Sequence, residues 1–161
     1  MNNKGFTLTE LTVALAIFGI MSAISIPSYF SWLPRHRLQT SVRHIYDDMN
    51  MARSRAVKTN ADIGIEFNTS NETYRIFIDT DQDQTLDSGE TVISTGTLEK
   101  NIDITGSTFT NHTYGFNSRG MSAGGTGEVR LTNSSGLFLG VRVNTSGCLT
   151  IISSTDGTTW S

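Results

Sequence analysis

The hydrophobic pattern of the chain changes period once, near Asn60. Upstream, residues 6–26 read FTLTELTVALAIFGIMSAISI, 21 residues with a single charge, Glu10. A helix needs about 20 apolar residues to cross the hydrocarbon core of a bilayer, so this stretch is long enough. Beyond Pro27, Leu38, Val42, Ile45, Met49, Ala52 and Ala56 recur at alternating spacings of four and three, which places them on one helical face. Arg43, Asp47, Asn50, Ser54 and Lys58 fall on the other. The pattern predicts one long helix over 6–57, membrane-embedded over 6–26 and amphipathic afterwards. A kink or local melting is expected near Pro27, and Pro34 suits the first turn of a renewed helix.

Downstream of Asn60 the period falls to two. IGIEF at 63–67 and TYRIFID at 73–79, separated by Asn68-Thr69-Ser70-Asn71-Glu72, predict a hairpin. Further strands are expected over 90–94, 102–105, 113–117, 128–132, 137–144 and 148–153, each bounded by Gly, Asn, Asp or Ser. Short strands at this spacing point to a β-sandwich or a pair of sheets. The amphipathic half of the helix has to bury its stripe against one of them. The expected fold is therefore α+β: a long N-terminal helix, transmembrane and then amphipathic, packed on an antiparallel β-sandwich-like domain over 58–161.

Composition narrows the function classes. A length of 161 residues fits one domain, or one domain with an appendage, rather than a multidomain enzyme. The single cysteine, Cys148, excludes an intrachain disulfide and a CxxC-type zinc site; its apolar surroundings suggest a buried small hydrophobe. Charge is uneven. Residues 31–60 carry six basic side chains against Asp47 and Asp48, whereas residues 61–161 carry five basic and twelve acidic ones, a net −7. A basic neck precedes an acidic body, and such a body does not attract phosphate backbones, whose affinity comes from Lys and Arg.

The N-terminal residues resemble a known family. Lys4-Gly5-Phe6-Thr7-Leu8-Thr9-Glu10-Leu11, the apolar stretch and Ile26-Pro27-Ser28-Tyr29 are similar to the leader and helix of type IV prepilins and type II secretion pseudopilins. The resemblance implies a leader over 1–5, cleavage between Gly5 and Phe6 by prepilin peptidase, N-methylation of Phe6, and Glu10 as the fifth residue of the mature chain. Thr9 and Thr12 stand where the family more often has apolar residues. An ordinary signal peptide fits less well: the apolar run exceeds the usual 7–15 residues and no A-x-A-like site follows it. A carboxylate in a membrane helix costs roughly 2.5–3.5 kcal/mol at the bilayer centre. In a stack of parallel helices the Phe6 amine of one subunit can reach Glu10 of its neighbour and remove that cost, which makes Glu10 an assembly device; the alternative is a Glu10 that only snorkels to the interface. Ala52-Arg53-Ser54-Arg55-Ala56 and GLFLGVRVNTSG are further similar to the GspH/FimT group of minor pseudopilins and minor pilins, which implies a pilin-like fold.

Other candidate chemistry is sparse. His36 and His44 have no acidic partner at metal-ligand spacing, His112 has no nucleophile elbow near it, and Gly124-Gly125-Thr126-Gly127 precedes a strand rather than the helix that a phosphate loop needs. One constellation remains. Asp79, Asp81, Asp83, Asp87 and Glu90 occupy positions 1, 3, 5, 9 and 12 of a twelve-residue window, the spacing of a calcium loop, although Gln84 replaces the usual glycine at position six. The two readings are a calcium site without EF-hand helices and a solvated hairpin tip.

The function expected from these readings is structural: a non-enzymatic, single-pass minor pilin or pseudopilin of a bacterial inner membrane, its β-domain in the periplasm, incorporated into a type IV pilus or a type II secretion pseudopilus. Its partners are other pilin subunits through the N-terminal helix, prepilin peptidase and the inner membrane. No cofactor is required, with calcium the one candidate ion. The alternative is a FimT-like minor pilin that binds DNA for uptake. It would need a Gly-Arg-x-Arg near the C-terminus, where Gly147-Cys148-Leu149-Thr150 lacks both arginines, so nucleic acid is not expected as a partner.

Overall fold

The computed structural model describes residues 5–161; residues 1–4 of the expected leader, Lys4 included, lie outside them. Helix α1 spans Leu8–Thr59, 52 residues, or about 78 Å at the α-helical rise. Its start is fixed by a capping box: the Thr7 Oγ1 accepts from the Glu10 N–H at 3.2 Å while Glu10 Oε2 accepts from the Thr7 N–H at 2.9 Å. Asn60 ends it in the left-handed conformation (φ 51°), its N–H donating to the Ala56 carbonyl. The helix is continuous through Pro27 and Pro34. Neither the melting expected at Pro27 nor the renewed start at Pro34 occurs. Each proline removes one backbone bond, whereas melting a turn of an apolar helix would leave several N–H and C=O groups unsatisfied.

Eight strands follow: β1 (Asp62–Asn68), β2 (Thr73–Asp79), β3 (Val92–Thr97), β4 (Ile102–Ser107), β5 (Thr113–Phe116), β6 (Gly127–Asn133), β7 (Phe138–Val143) and β8 (Leu149–Ser154). They form two four-stranded sheets, β3-β2-β1-β5 and β4-β6-β7-β8, with every pairing antiparallel. The chain crosses to the second sheet at β4 and returns for β5 before the β6–β8 meander. Alternation puts Ile63, Ile65, Tyr74, Ile76, Tyr114 and Phe116 of the first sheet and Val129, Leu131, Val141 and Val143 of the second into one core with the helical stripe. That stripe is the expected one. Leu38, Val42, Ile45, Met49, Ala52 and Ala56 are all at most 1% exposed, and the helix packs against strands of both sheets rather than one.

Two segments cover the outer sheet faces. The 80–91 connection folds back over the first sheet, with Gln84 against Gly115; Phe77, fully buried, lies over Gly64, where a Cβ would come within 2.1 Å of its ring. At the second sheet Ser161 exchanges backbone hydrogen bonds with Ser153 at 2.9 and 3.1 Å. The neighbouring Trp160 lies against Gly140, with the Arg130 guanidinium 5.3 Å from its ring centre. Beneath it Glu128 is held between Arg130 and Arg142.

Cys148 corrects the sequence reading. It is exposed and precedes β8, in the turn where its N–H donates to Asn144 Oδ1 at 2.8 Å. The tight 144–148 connection, closed by the Asn144 N–H donating to the Cys148 carbonyl at 3.1 Å, leaves the residue exposed.

Candidate functional site

The N-terminal half of α1 carries the features that the sequence marked. Among the described residues, none from Gly5 to Ile26 is buried, and this is a helix long and apolar enough to cross a membrane. Phe6 is 90% exposed. A Cβ added at Gly5 would meet nothing within 4 Å, so packing within this chain does not call for glycine there. Glu10 is exposed and turned back on its own helix start, where Oε2 accepts from both the N–H and the hydroxyl of Thr7 at 2.9 Å. The capping role is legible as Thr7-Leu8-Thr9-Glu10, a Thr-x-x-Glu preceding an apolar run, a signal distinct from the charge of Glu10. The carboxylate is thus satisfied within its own helix start.

The acidic loop is only partly the constellation expected. Carboxylate oxygens of Asp79, Asp81 and Asp83 lie within 4.8 Å of one another. Asp87 and Glu90 do not join them. Glu90 instead accepts from Thr80 through Oε1, at 2.7 Å from the N–H and 3.1 Å from the hydroxyl, and from the Asp87 N–H through Oε2 at 3.2 Å, so the bidentate ligand of a calcium loop is committed to holding the loop together. Asp79, only 4% exposed, accepts from the N–H groups of Gln82 at 2.7 Å and Gln84 at 3.0 Å. Burial pushes its pKa up, against those two N–H bonds, with Glu90 and Asp81 adding to the rise. Gln84 takes φ 64°, the left-handed conformation that glycine supplies at position six. The geometry suits a self-capped loop with three convergent carboxylates rather than a five-carboxylate cage, and the solvated-tip reading fails at Asp79, which is buried.

The remaining sequence candidates are separate from these. His36 stacks on Trp32 at 4.4 Å. His112 lies 2.8 Å from the Ser107 hydroxyl, a pair that the sequence reading did not foresee; among the described residues no carboxylate orients the imidazole as a base for that serine would require. Gly124 and Gly125 lie in a turn before β6. The residue most clearly missed is Arg53, which reaches from the helix to the Gly120 carbonyl at 2.8 Å and the Ser146 carbonyl at 3.3 Å. Its sequence signal was its place in Ala52-Arg53-Ser54-Arg55-Ala56, beside the buried stripe, which did not say what it binds.

Comparison with known proteins places this geometry. The family profile described as Type II transport protein GspH matches residues 41–147, and a prokaryotic N-terminal methylation motif matches residues 1–26. Among solved structures, the minor pseudopilin EpsH from the type 2 secretion system of Vibrio cholerae superposes with a TM-score of 0.56 at 11% identity, covering 73% of this chain and 97% of that one. The type IV minor pilin FimU of Pseudomonas aeruginosa gives 0.55 at 14% identity, covering 73% and 89%. At such identities the likeness is one of fold.

Proposed function

The chain belongs to the GspH family of type II transport proteins, and from that premise we propose that it is a structural subunit of a filament, anchored in the bacterial inner membrane by residues 6–26 with its β-domain in the periplasm. The observation that carries this reading is the division of α1. One continuous helix is buried along a stripe from Leu38 to Ala56 and bare from Leu8 to Ile26. An exposed, mainly apolar stretch of 21 residues with a single charge is stable only in lipid or against other apolar helices. A stack of such helices supplies both in turn.

Processing fits the same residues. Nothing in the fold requires glycine at position five, so a requirement for it would come from a peptidase that cuts before Phe6. Cleavage leaves a cationic amine at Phe6, four residues from Glu10, and keeps Thr7 as the helix cap. The intramolecular bonds from Thr7 satisfy Glu10 in the free subunit; the amine of a neighbour would then replace a neutral donor by a charged one, a stronger bond in a medium of low dielectric. The DNA-uptake alternative gains no support, since the 144–148 turn lacks arginines and the β-domain is acidic.

Glu10 offers the test. Glutamine keeps the capping box but carries no charge. Glu10→Gln and Glu10→Ala are expected to insert and fold alike and to be recovered in sheared filaments at less than about a tenth of the wild-type amount, a loss of the order set by one charge-assisted bond. Wild-type incorporation of Glu10→Gln would show that capping, not amine pairing, is what assembly uses.

A further inference from the structure

We infer that the segment of α1 just beyond the apolar run is a docking surface for anionic phospholipid headgroups, formed by Tyr29, Trp32, Arg35, His36 and Arg37. The inference rests on the membrane reading of residues 6–26 and adds a lipid preference to it. Between Glu10 and Asp47 the sequence has no acidic side chain, and its charges are Arg35, Arg37 and Arg43. Among the described residues none of these arginines pairs with a carboxylate. Arg35 is exposed, and Arg37 makes one long contact to the Lys100 carbonyl at 3.5 Å.

Aromatic residues precede the charges. Tyr29, Phe30 and Trp32 are 55%, 67% and 53% exposed. Tyr29 is three residues past Ile26, about 4.5 Å along the axis, and Trp32 six, about 9 Å; the interfacial layer on each side of the hydrocarbon core is roughly 5–7 Å deep, and a Trp32 side chain leaning toward the helix N-terminus reaches back into it. Trp and Tyr favour that depth because their rings are apolar with one polar tip. Arg35 is one turn further on. Side chains on a helix lean toward its N-terminus, here toward the bilayer, so Arg35 and Arg37 can lay their stems down and reach headgroup phosphates. Leu38 is the first residue of the helix buried in the β-domain core. The collar therefore lies between the apolar run and the first buried core position, with Tyr29, Trp32, Arg35 and His36 exposed and Arg37 half-buried, and its occupant is set by continuity with the membrane segment and by uncompensated positive charge.

The test uses the full chain in bilayer nanodiscs. The chain has two tryptophans, so Trp160→Phe leaves Trp32 as the sole donor for energy transfer to acyl-dansylated lipid, supplied as a trace of phosphatidylglycerol or of phosphatidylcholine in a phosphatidylcholine disc. At low salt, transfer to the glycerol lipid is expected to exceed transfer to the choline lipid several-fold, since one basic residue at a surface enriches anionic lipid about fivefold, and the excess should fall toward unity at high salt. Arg35→Gln with Arg37→Gln should remove the excess while Arg43→Gln, two turns farther from the membrane, retains it; circular dichroism of each variant reports the fold. Equal transfer to both lipids at low salt would overturn the collar and leave the membrane reading standing. An excess that survives the double variant would equally overturn the assignment to these arginines. Transfer to neither lipid would overturn the membrane reading and this inference together.

Discussion

Arg53 shows how one side chain can join elements distant in sequence. Its Nε and Nη2 donate to the carbonyls of Gly120 and Ser146, so the C-terminal turns of the helix are tied to two loops, one before β6 and one between β7 and β8. Gly147 makes the approach possible: at φ 76° it sits where a Cβ would come within 2.2 Å of the Gly120 oxygen. Arg53→Ala is expected to lower the unfolding free energy by roughly 2 kcal/mol, the usual scale for charged hydrogen bonds, read as a lower urea midpoint at unchanged slope. Arg53→Lys should recover less than half, because an ammonium cannot fork to two carbonyls. Asp79 works in the opposite sense. Its folded pKa is raised, chiefly by burial, so its favourable contribution is complete below the unfolded carboxyl pKa and is lost as pH rises through the folded value. Asp79→Asn, neutral throughout and still able to accept one N–H, should therefore gain on the wild type in melting temperature as pH rises above the ordinary Asp value of about 4. A difference that does not change with pH would show that the carboxylate titrates normally.

At the scale of the element, the 80–91 connection is a cover for its sheet. Asp79 and Glu90 each bind two or more donors of the loop, and Gln84 packs over Gly115. Asp79→Ala is therefore expected to destabilise the domain by about 1–3 kcal/mol, the cost of leaving buried N–H groups unpaired, and to do so in EDTA as much as in calcium. Asp81→Asn separates the ion from the loop, since it leaves the Asp79 bonds in place. A melting temperature that rises with millimolar calcium, and no longer does so in Asp81→Asn, would assign an ion to the three convergent carboxylates; equal behaviour of the two proteins leaves a self-capped loop.

For the whole molecule the division of α1 makes the two halves separable. Nothing from Gly5 to Ile26 is buried, so a chain beginning at Ser28 should fold with a stability within roughly 0.5 kcal/mol of the full protein in denaturant titrations, the range of changes that touch no packing. A chain beginning at Arg43 loses Leu38 and Val42, each at most 1% exposed. It should lose several kcal/mol, about 2–5 for a leucine alone. If the two truncations behave alike, the stripe is not part of the core.

Much of this architecture was determined by local pattern. The apolar run and the four-three spacing fixed the helix and its buried face, because burial of a stripe follows from period alone, and all eight strands lie where alternation between turn residues put them. β2 appears at the bounds expected, whereas β3 begins at Val92 rather than residue 90 because Glu90 is used as a loop cap. The N-terminal methylation motif over residues 1–26 was equally legible, being a local run. Decisions that depend on distant partners were not. The sequence put five carboxylates on a calcium spacing, but only tertiary structure could bury Asp79, gather three of them and divert Glu90. It exposed Cys148 by turning the chain at Asn144, brought His112 to Ser107, and sent Arg53 to carbonyls 67 and 93 residues away. Periodicity is a property of neighbours along the chain, and therefore readable from it; which polar groups find each other depends on how two sheets and a helix close on one core.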